Sequence, residues 1–134
     1  IFGHHADMYD DAVWWADLFN KIHTKPITTE FTNRETASMI KYTHNAWLAT
    51  KVAFFHELFL NRPEDMNYSE VTSTLAQMPN IGPSHMLVPN SLGNLGYEGH
   101  CFPKDMKALT NCIDHSIIEQ VITTNKRLNK RSAR

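Results

Sequence analysis

Ten consecutive residues, Gly96-Tyr97-Glu98-Gly99-His100-Cys101-Phe102-Pro103-Lys104-Asp105, combine the ingredients of nucleophilic catalysis. A glycine-bearing loop delivers a cysteine onto the start of a helix, with Pro103 favoured at the first helical position. The partial positive charge of a helix N-terminus, with Lys104 and His100 nearby, favours the thiolate, which is the nucleophilic form of cysteine. Asp105 follows one helical turn after Cys101, where it can take a proton from water or orient the thiol. A single cysteine is more often a small buried hydrophobe, but the loop-to-helix setting raises the catalytic reading above that base rate. Cys112, inside the same helix among apolar neighbours, keeps the bland reading.

A second constellation lies sixty residues earlier. Phe59, Phe55, Val52 and Leu48 recur in steps of three and four, and the same stripe continues backward to Asn45 and Lys41. Two polar side chains on a core stripe have two readings of about equal weight. Either the stripe emerges into solvent and Lys41 snorkels, or a cation and an amide donor are aimed together into a site. The second arrangement suits stabilisation of an oxyanion or a developing alkoxide. His44 neighbours Asn45 but points about 100° away around the helix, so it is not expected to join that site.

Four elements must position these groups. From Thr32-Asn33-Arg34-Glu35 to Asn61 the pattern is helical, with Thr32 or Asn33 as N-cap and Arg62-Pro63 as the stop. Ile40, Trp47, Phe54 and Leu58 make a second apolar side, so the helix is expected to be buried, often between subunits. Asn67 opens a shorter helix to Met78, and Pro79 to Gly99 hold four of the five glycines and three of the six prolines, which makes that stretch a loop. Pro103 starts the next helix, and His115 to about Arg131 form the last. Ahead of all of them, Ile1 to Gly3, Asp7 to Asn20 and Pro26 to Thr29 read as strand, helix and strand, with Met8, Ala12, Trp15 and Phe19 on the helix face. A lone β-α-β unit leaves faces and edges uncovered and is expected to belong to a larger sheet.

The 134 residues suffice for one compact core and not for two full domains. Thirteen basic against fourteen acidic residues leave no global field for nucleic acid. Lys126, Arg127, Lys130, Arg131 and Arg134 cluster at the end, where a solvated helix terminus is favoured over an RNA contact. Two cysteines argue against a disulfide scaffold and point to the cytoplasm. No apolar run approaches the roughly 20 residues of a membrane span. The histidines, His4, His5, His23, His44, His56, His85 and His115 among them, lack a compact metal spacing, so no metal is assigned.

GYEGHCFPKDMKAL resembles the catalytic-cysteine signature of the UDP-glucose/GDP-mannose dehydrogenase family, and MIKYTHNAWLATKVAFFHEL resembles that family's central helix. The order of the two motifs matches as well, which makes the resemblance specific. It implies a mainly α fold. Residues 1–30 are similar to the last β-α-β portion of a Rossmann-like cofactor domain, and 31–134 to a helical dimerisation domain. It also implies an NAD-dependent enzyme that oxidises a nucleotide sugar's primary alcohol twice, through an aldehyde and a cysteine thioester, to a uronic acid. Cys101 then matches the nucleophile, Lys41 and Asn45 the pair that stabilises alkoxide and oxyanion, and Asp105 the carboxylate that activates water. Gly96, Tyr97 and Glu98 fall where the family's loop contacts the nucleotide sugar. Cys101, Phe102, Pro103 and Lys104 fall where the nicotinamide approaches.

The chain departs from the family pattern at named positions. Glu98 stands where a second glycine is usual, His100 replaces a small residue, and Asn80 stands where an arginine commonly reaches the neighbouring subunit's substrate. The Gly82 to Gly96 loop is longer than in many members. No G-x-G-x-x-G follows a strand, so the cofactor phosphate site is expected outside these residues and the chain alone is expected to be incomplete and inactive. The expected function is therefore part of a UDP-glucose 6-dehydrogenase-like enzyme acting as a homodimer, with a non-catalytic dimerisation module as the rival.

Overall fold

The computed structural model describes residues 1–114 and 116–132. The fold is mainly α. Its elements run β1 (Phe2–His4), a single 3-10 turn (Ala6–Met8), α1 (Tyr9–Ile22), β2 (Phe31–Asn33), α2 (Arg34–Asn61), α3 (Tyr68–Ala76), α4 (Cys101–Cys112) and α5 (Ser116–Ser132). The chain divides into two compact units, the first spanning Ile1–Thr43 and the second beginning at His44.

In the first unit β1 and β2 pair in parallel with Phe2 opposite Phe31, Gly3 opposite Thr32 and His4 opposite Asn33. The second strand thus lies beyond the expected Pro26–Thr29 stretch. Those residues carry β-branched character, but strand identity is set by pairing, and Phe31 is the residue whose ring stacks on Phe2 at 5.9 Å. Phe19 of α1 closes on the same ring at 6.0 Å. Ala12 and Ala16 are the buried face of α1, while Met8, Trp14, Trp15 and Phe19 stay substantially exposed. Phe19 and Tyr9 touch the strand rings Phe2 and Phe31 yet stay partly exposed, and among the described residues no third strand covers them. Asn33 is the cap of α2, accepting the Thr36 amide at 2.7 Å, as the sequence pattern expects.

In the second unit the core is built by Val52 and Phe55 of α2, Met106 and Leu109 of α4, and Val121 and Leu128 of α5. The stripe through Val52 and Phe55 packs inward, whereas Trp47 and Phe54, on the other apolar side, remain 59% and 61% exposed. Within this chain α2 is therefore buried along one stripe and not all round. Asn67 caps α3 by accepting the Glu70 amide at 3.3 Å. The α4 helix begins at Cys101, two residues before the expected start, and Pro103 lies inside its first turn. Proline is tolerated there because the first N–H groups of a helix have no intrahelical partner. The α5 range begins at Ser116; His115, the expected first residue, and Arg134 of the basic cluster lie outside the described residues. Among the described residues no helix is long and apolar enough to cross a membrane.

Candidate active site

Three helices and one loop meet around the cysteine motif in the second unit. Asp105 is wholly buried. Its Oδ2 accepts from Asn45 Nδ2 at 2.6 Å, so the central helix and the cysteine helix are tied together through two of the residues singled out for chemistry. The other carboxylate oxygen pairs with the Lys104 ammonium, whose side chain is itself mostly exposed. Cys101 is an exposed free thiol at the first position of α4, one turn before Asp105. The backbone before it is not capped by any side chain of His100.

Asn45 has a second contact. Its Oδ1 faces His44 Nδ1 at 3.2 Å, and because an amide oxygen only accepts, that ring nitrogen carries the proton. This corrects the expectation that His44 stays apart. Adjacent side chains leave a helix about 100° apart, yet a flexible imidazole and an amide are long enough to meet at their tips. Lys41, one turn earlier on α2, belongs to the first unit; its ammonium lies 5.9 Å from the Tyr42 ring centre.

The glycine loop is pinned on three sides. Asn125 of α5, buried, accepts from Tyr97 N at 2.7 Å and donates to Tyr97 O at 3.0 Å. Asn90 donates to Gly96 O at 3.0 Å and accepts from the amides of Leu92 and Asn94. The Gly96 amide donates to His56 Nδ1 at 2.9 Å. Gly96 itself has φ +84, and a Cβ there would stand 2.4 Å from Asn129 Oδ1 and 2.5 Å from Asn125 Oδ1, so only glycine fits. Tyr97 is buried, and desolvation pushes its hydroxyl up to about 12.

These walls enclose a cavity of about 330 Å³ lined by His56, His85, Gly96, Tyr97, Glu98 and Phe102 among others. Phe102 packs edge-on against Tyr97 at 5.9 Å and at a tilt against His85 at 5.7 Å. The Glu98 carboxylate is turned onto Asn94 Nδ2 at 3.0 Å. Gly99 opens to the outside, with nothing within 4 Å of where a Cβ would be.

A model of the UDP-glucose/GDP-mannose dehydrogenase family, central domain, matches residues 35–131. The chain belongs to this family. It is 35% identical over 101 residues to the UDP-glucose 6-dehydrogenase of Rickettsia prowazekii (strain Madrid E), covering 71% of this chain and 22% of the relative. It is 33% identical over 117 residues to the UDP-glucose 6-dehydrogenase TuaD of Bacillus subtilis (strain 168), covering 83% and 24%. The enzyme of the same name from Rhizobium meliloti (strain 1021) is 29% identical over 115 residues, covering 84% and 25%. The chain spans about a quarter of the length of these curated relatives.

In this dehydrogenase-family chain several contributors around the cavity carry no sequence signal of their own. His56 is 1% exposed and its Nε2 lies 3.1 Å from Leu87 O. His85 sits in the left-handed region at φ 64, and its Nδ1 is buried with no partner among the described residues. Burial, and then the charges of Lys51 and His44, hold its imidazole below the usual value. Lys51, although a lysine, is 7% exposed, and its ammonium donates to Ile81 O at 2.7 Å and Gly82 O at 2.9 Å. Only the fact that Lys51 and His56 interrupt an apolar run hinted that they have partners inside. Of the departures, Asn80 is exposed at the end of α3's trailing turn. Cys112, expected among apolar neighbours, is exposed because it closes the last turn of α4. Among the described residues no group of three or more His, Cys, Asp or Glu could hold a metal ion.

Proposed function

We propose that this chain is the central, cysteine-bearing part of an NAD-dependent nucleotide-sugar 6-dehydrogenase, with UDP-glucose the first substrate to test. The observation that carries the reading is the Asn45–Asp105 hydrogen bond, which unites the two motifs beside the exposed Cys101 thiol. On this reading residues 1–30 end a cofactor-binding domain and 31–134 form the helical dimerisation domain. The protein works in the cytoplasm as a homodimer through the exposed Trp47 and Phe54 stripe.

Cys101 Sγ adds to the C6 aldehyde of the sugar, and the resulting hemithioacetal becomes a thioester on the second oxidation. Lys41 and the Asn45 amide stabilise the negative oxygen at each stage. Asp105 takes the proton of the water that cleaves the thioester. Gly96, Tyr97 and Glu98 hold the sugar nucleotide along the cavity. The residues toward the cofactor fit a planar ring: Gly99 leaves open space, Cys101 and His100 are exposed, and the Lys104 side chain is 62% exposed. Phe102 and Pro103 complete that edge. When bound, NAD would supply the hydride acceptor for both oxidations, and it would be held mainly by residues outside this chain.

The test is NADH formation from UDP-glucose and NAD by the polypeptide carrying this chain, with Cys101→Ala as control. Two NADH per uronic acid, lost in the variant, is the expected result; turnover that survives Cys101→Ala sinks the reading. A second reading, a dimerisation module that no longer binds sugar nucleotides, is favoured by the Glu98 carboxylate on the cavity wall, which opposes a diphosphate. It predicts no UDP-glucose binding at all.

A further inference from the structure

The cavity beside the cysteine motif has two walls that are not adjacent in sequence, one carrying Leu87 and the other Gly96. Asn90 reaches Gly96 from the first wall, and one buried side chain from α2 bonds to both. His56 of α2, almost fully buried, receives the Gly96 amide on Nδ1 at 2.9 Å and faces Leu87 O with Nε2 at 3.1 Å. A backbone N–H only donates and a carbonyl only accepts, so the ring is the neutral tautomer with its proton on Nε2. The other anchors of the loop, Asn90 and Asn125, are amides and do not titrate.

We propose that His56 is a positioning residue for this cavity, clamping the Leu87 and Gly96 walls together as the neutral Nε2–H imidazole, so that acid opens the clamp and with it the sugar-nucleotide site. The last clause rests on the function proposed above; the clamp itself does not. Adding a proton to Nδ1 would set two N–H groups head to head at Gly96 and bury a charge among apolar neighbours. Desolvation holds the imidazole below its usual value, opposed in part by the bond to Leu87, which keeps the clamp closed at neutral pH.

The groups around it do not substitute for this role. On α2 itself the Lys51 ammonium is spent on Ile81 and Gly82, and Glu57 pairs with Arg127 of α5 at 2.5 Å. From α3 the Tyr68 hydroxyl donates to Met86 O at 2.8 Å and reaches Phe55 O at 3.3 Å. Across the cavity stand His85, Tyr97 and Glu98. His85 is the second imidazole at this cavity, so it must be controlled for.

The experiment follows the Gly96 amide by hydrogen exchange and NMR between about pH 7 and about pH 5, alongside nitrogen shifts of the His56 ring. In the wild-type chain we expect an unprotonated Nδ1 at neutral pH. Gly96 protection should then fall about tenfold or more beyond the intrinsic change as the ring protonates. His56→Gln, whose amide can both accept from Gly96 and donate to Leu87, should keep the protection and remove its pH dependence. His85→Gln should leave that dependence in place. A proton found on Nδ1 at neutral pH, a Gly96 amide whose protection ignores pH, or a dependence that vanishes with His85→Gln would each overturn the proposal. UDP-glucose titrated under the same conditions separates the two readings. Affinity that falls with acid in wild type but not in His56→Gln supports the linked site, and affinity indifferent to pH refutes the linkage. In the polypeptide carrying this chain, no binding at any pH refutes the proposed substrate, while the clamp is still decided by Gly96.

Discussion

The carboxylate of Asp105 lies 2.6 Å from the side-chain amide of Asn45 across 60 residues of sequence. A carboxylate with no exposed surface must be paired, and its partners include that amide and the neighbouring Lys104 ammonium. The bond therefore locks α2 against α4 and sets the height of Cys101 relative to the amide donor. Asn45→Ala should cost about 1–3 kcal/mol in thermal or urea unfolding. A double-mutant cycle with Asp105→Ala should return a coupling of about 1 kcal/mol or more; additive losses would mean that the bond is not made in solution.

Gly96 should tolerate no side chain. Gly96→Ala combines φ +84 with contacts closer than 3.0 Å to the amides of Asn125 and Asn129. The left-handed strain alone is about 1–2 kcal/mol. Unfolding midpoints should drop accordingly, and exchange protection of the Tyr97 amide should fall. A variant as stable and as protected as wild type would contradict the observed loop packing.

One half-buried phenol, Tyr68, and one buried one, Tyr97, give an alkaline signature. Desolvation pushes the Tyr68 and Tyr97 hydroxyls up to about 12, above the ordinary phenol value of about 10. The unfolded chain loses these protons first, so stability should decline as pH rises from about 10 toward about 12. Ultraviolet titration of Tyr68→Phe and Tyr97→Phe against wild type reads each hydroxyl, and either one ionising at its ordinary value would refute its burial. Tyr68→Phe should also cost about 1 kcal/mol through the lost bond to Met86 O.

Trp47 and Phe54 lie two helical turns apart on α2, both more than half exposed, beside a cavity of about 240 Å³ that also includes Ile81. Homodimerisation through this stripe predicts a dimer at micromolar concentration in sedimentation, dissociated by Phe54→Glu. A clean monomer in wild type would remove the dimer from the account.

Much of this arrangement was legible in the sequence where a local rule operates. The Asn33 and Asn67 caps follow from side chains that satisfy nearby N–H groups, and the stop after Asn61 from Pro63. Asn45 was found because it continues the Val52 and Phe55 stripe, and that stripe is the buried one. Non-local pairing was not legible. The second strand was misplaced because Phe31 pairs with Phe2 whatever the β propensity of Ile27 and Thr28. Asn125, His56 and Lys51 each bond to backbone 28 to 40 residues away, and beyond the break that His56 and Lys51 make in an apolar run, nothing in their own neighbourhoods names those partners. Two apolar stripes on one helix also could not reveal which of them packs within the chain.

The central claim is that Cys101 is a nucleophile, and competition between the chain's two thiols tests it most directly. Cys101 and Cys112 are both exposed, so access alone gives neither an advantage. Mass-spectrometric iodoacetamide labelling at neutral pH should modify Cys101 about tenfold faster than Cys112, reflecting the helix N-terminus on which Cys101 stands. Equal labelling, or slower labelling of Cys101, would contradict the catalytic reading and leave the dimerisation module in its place.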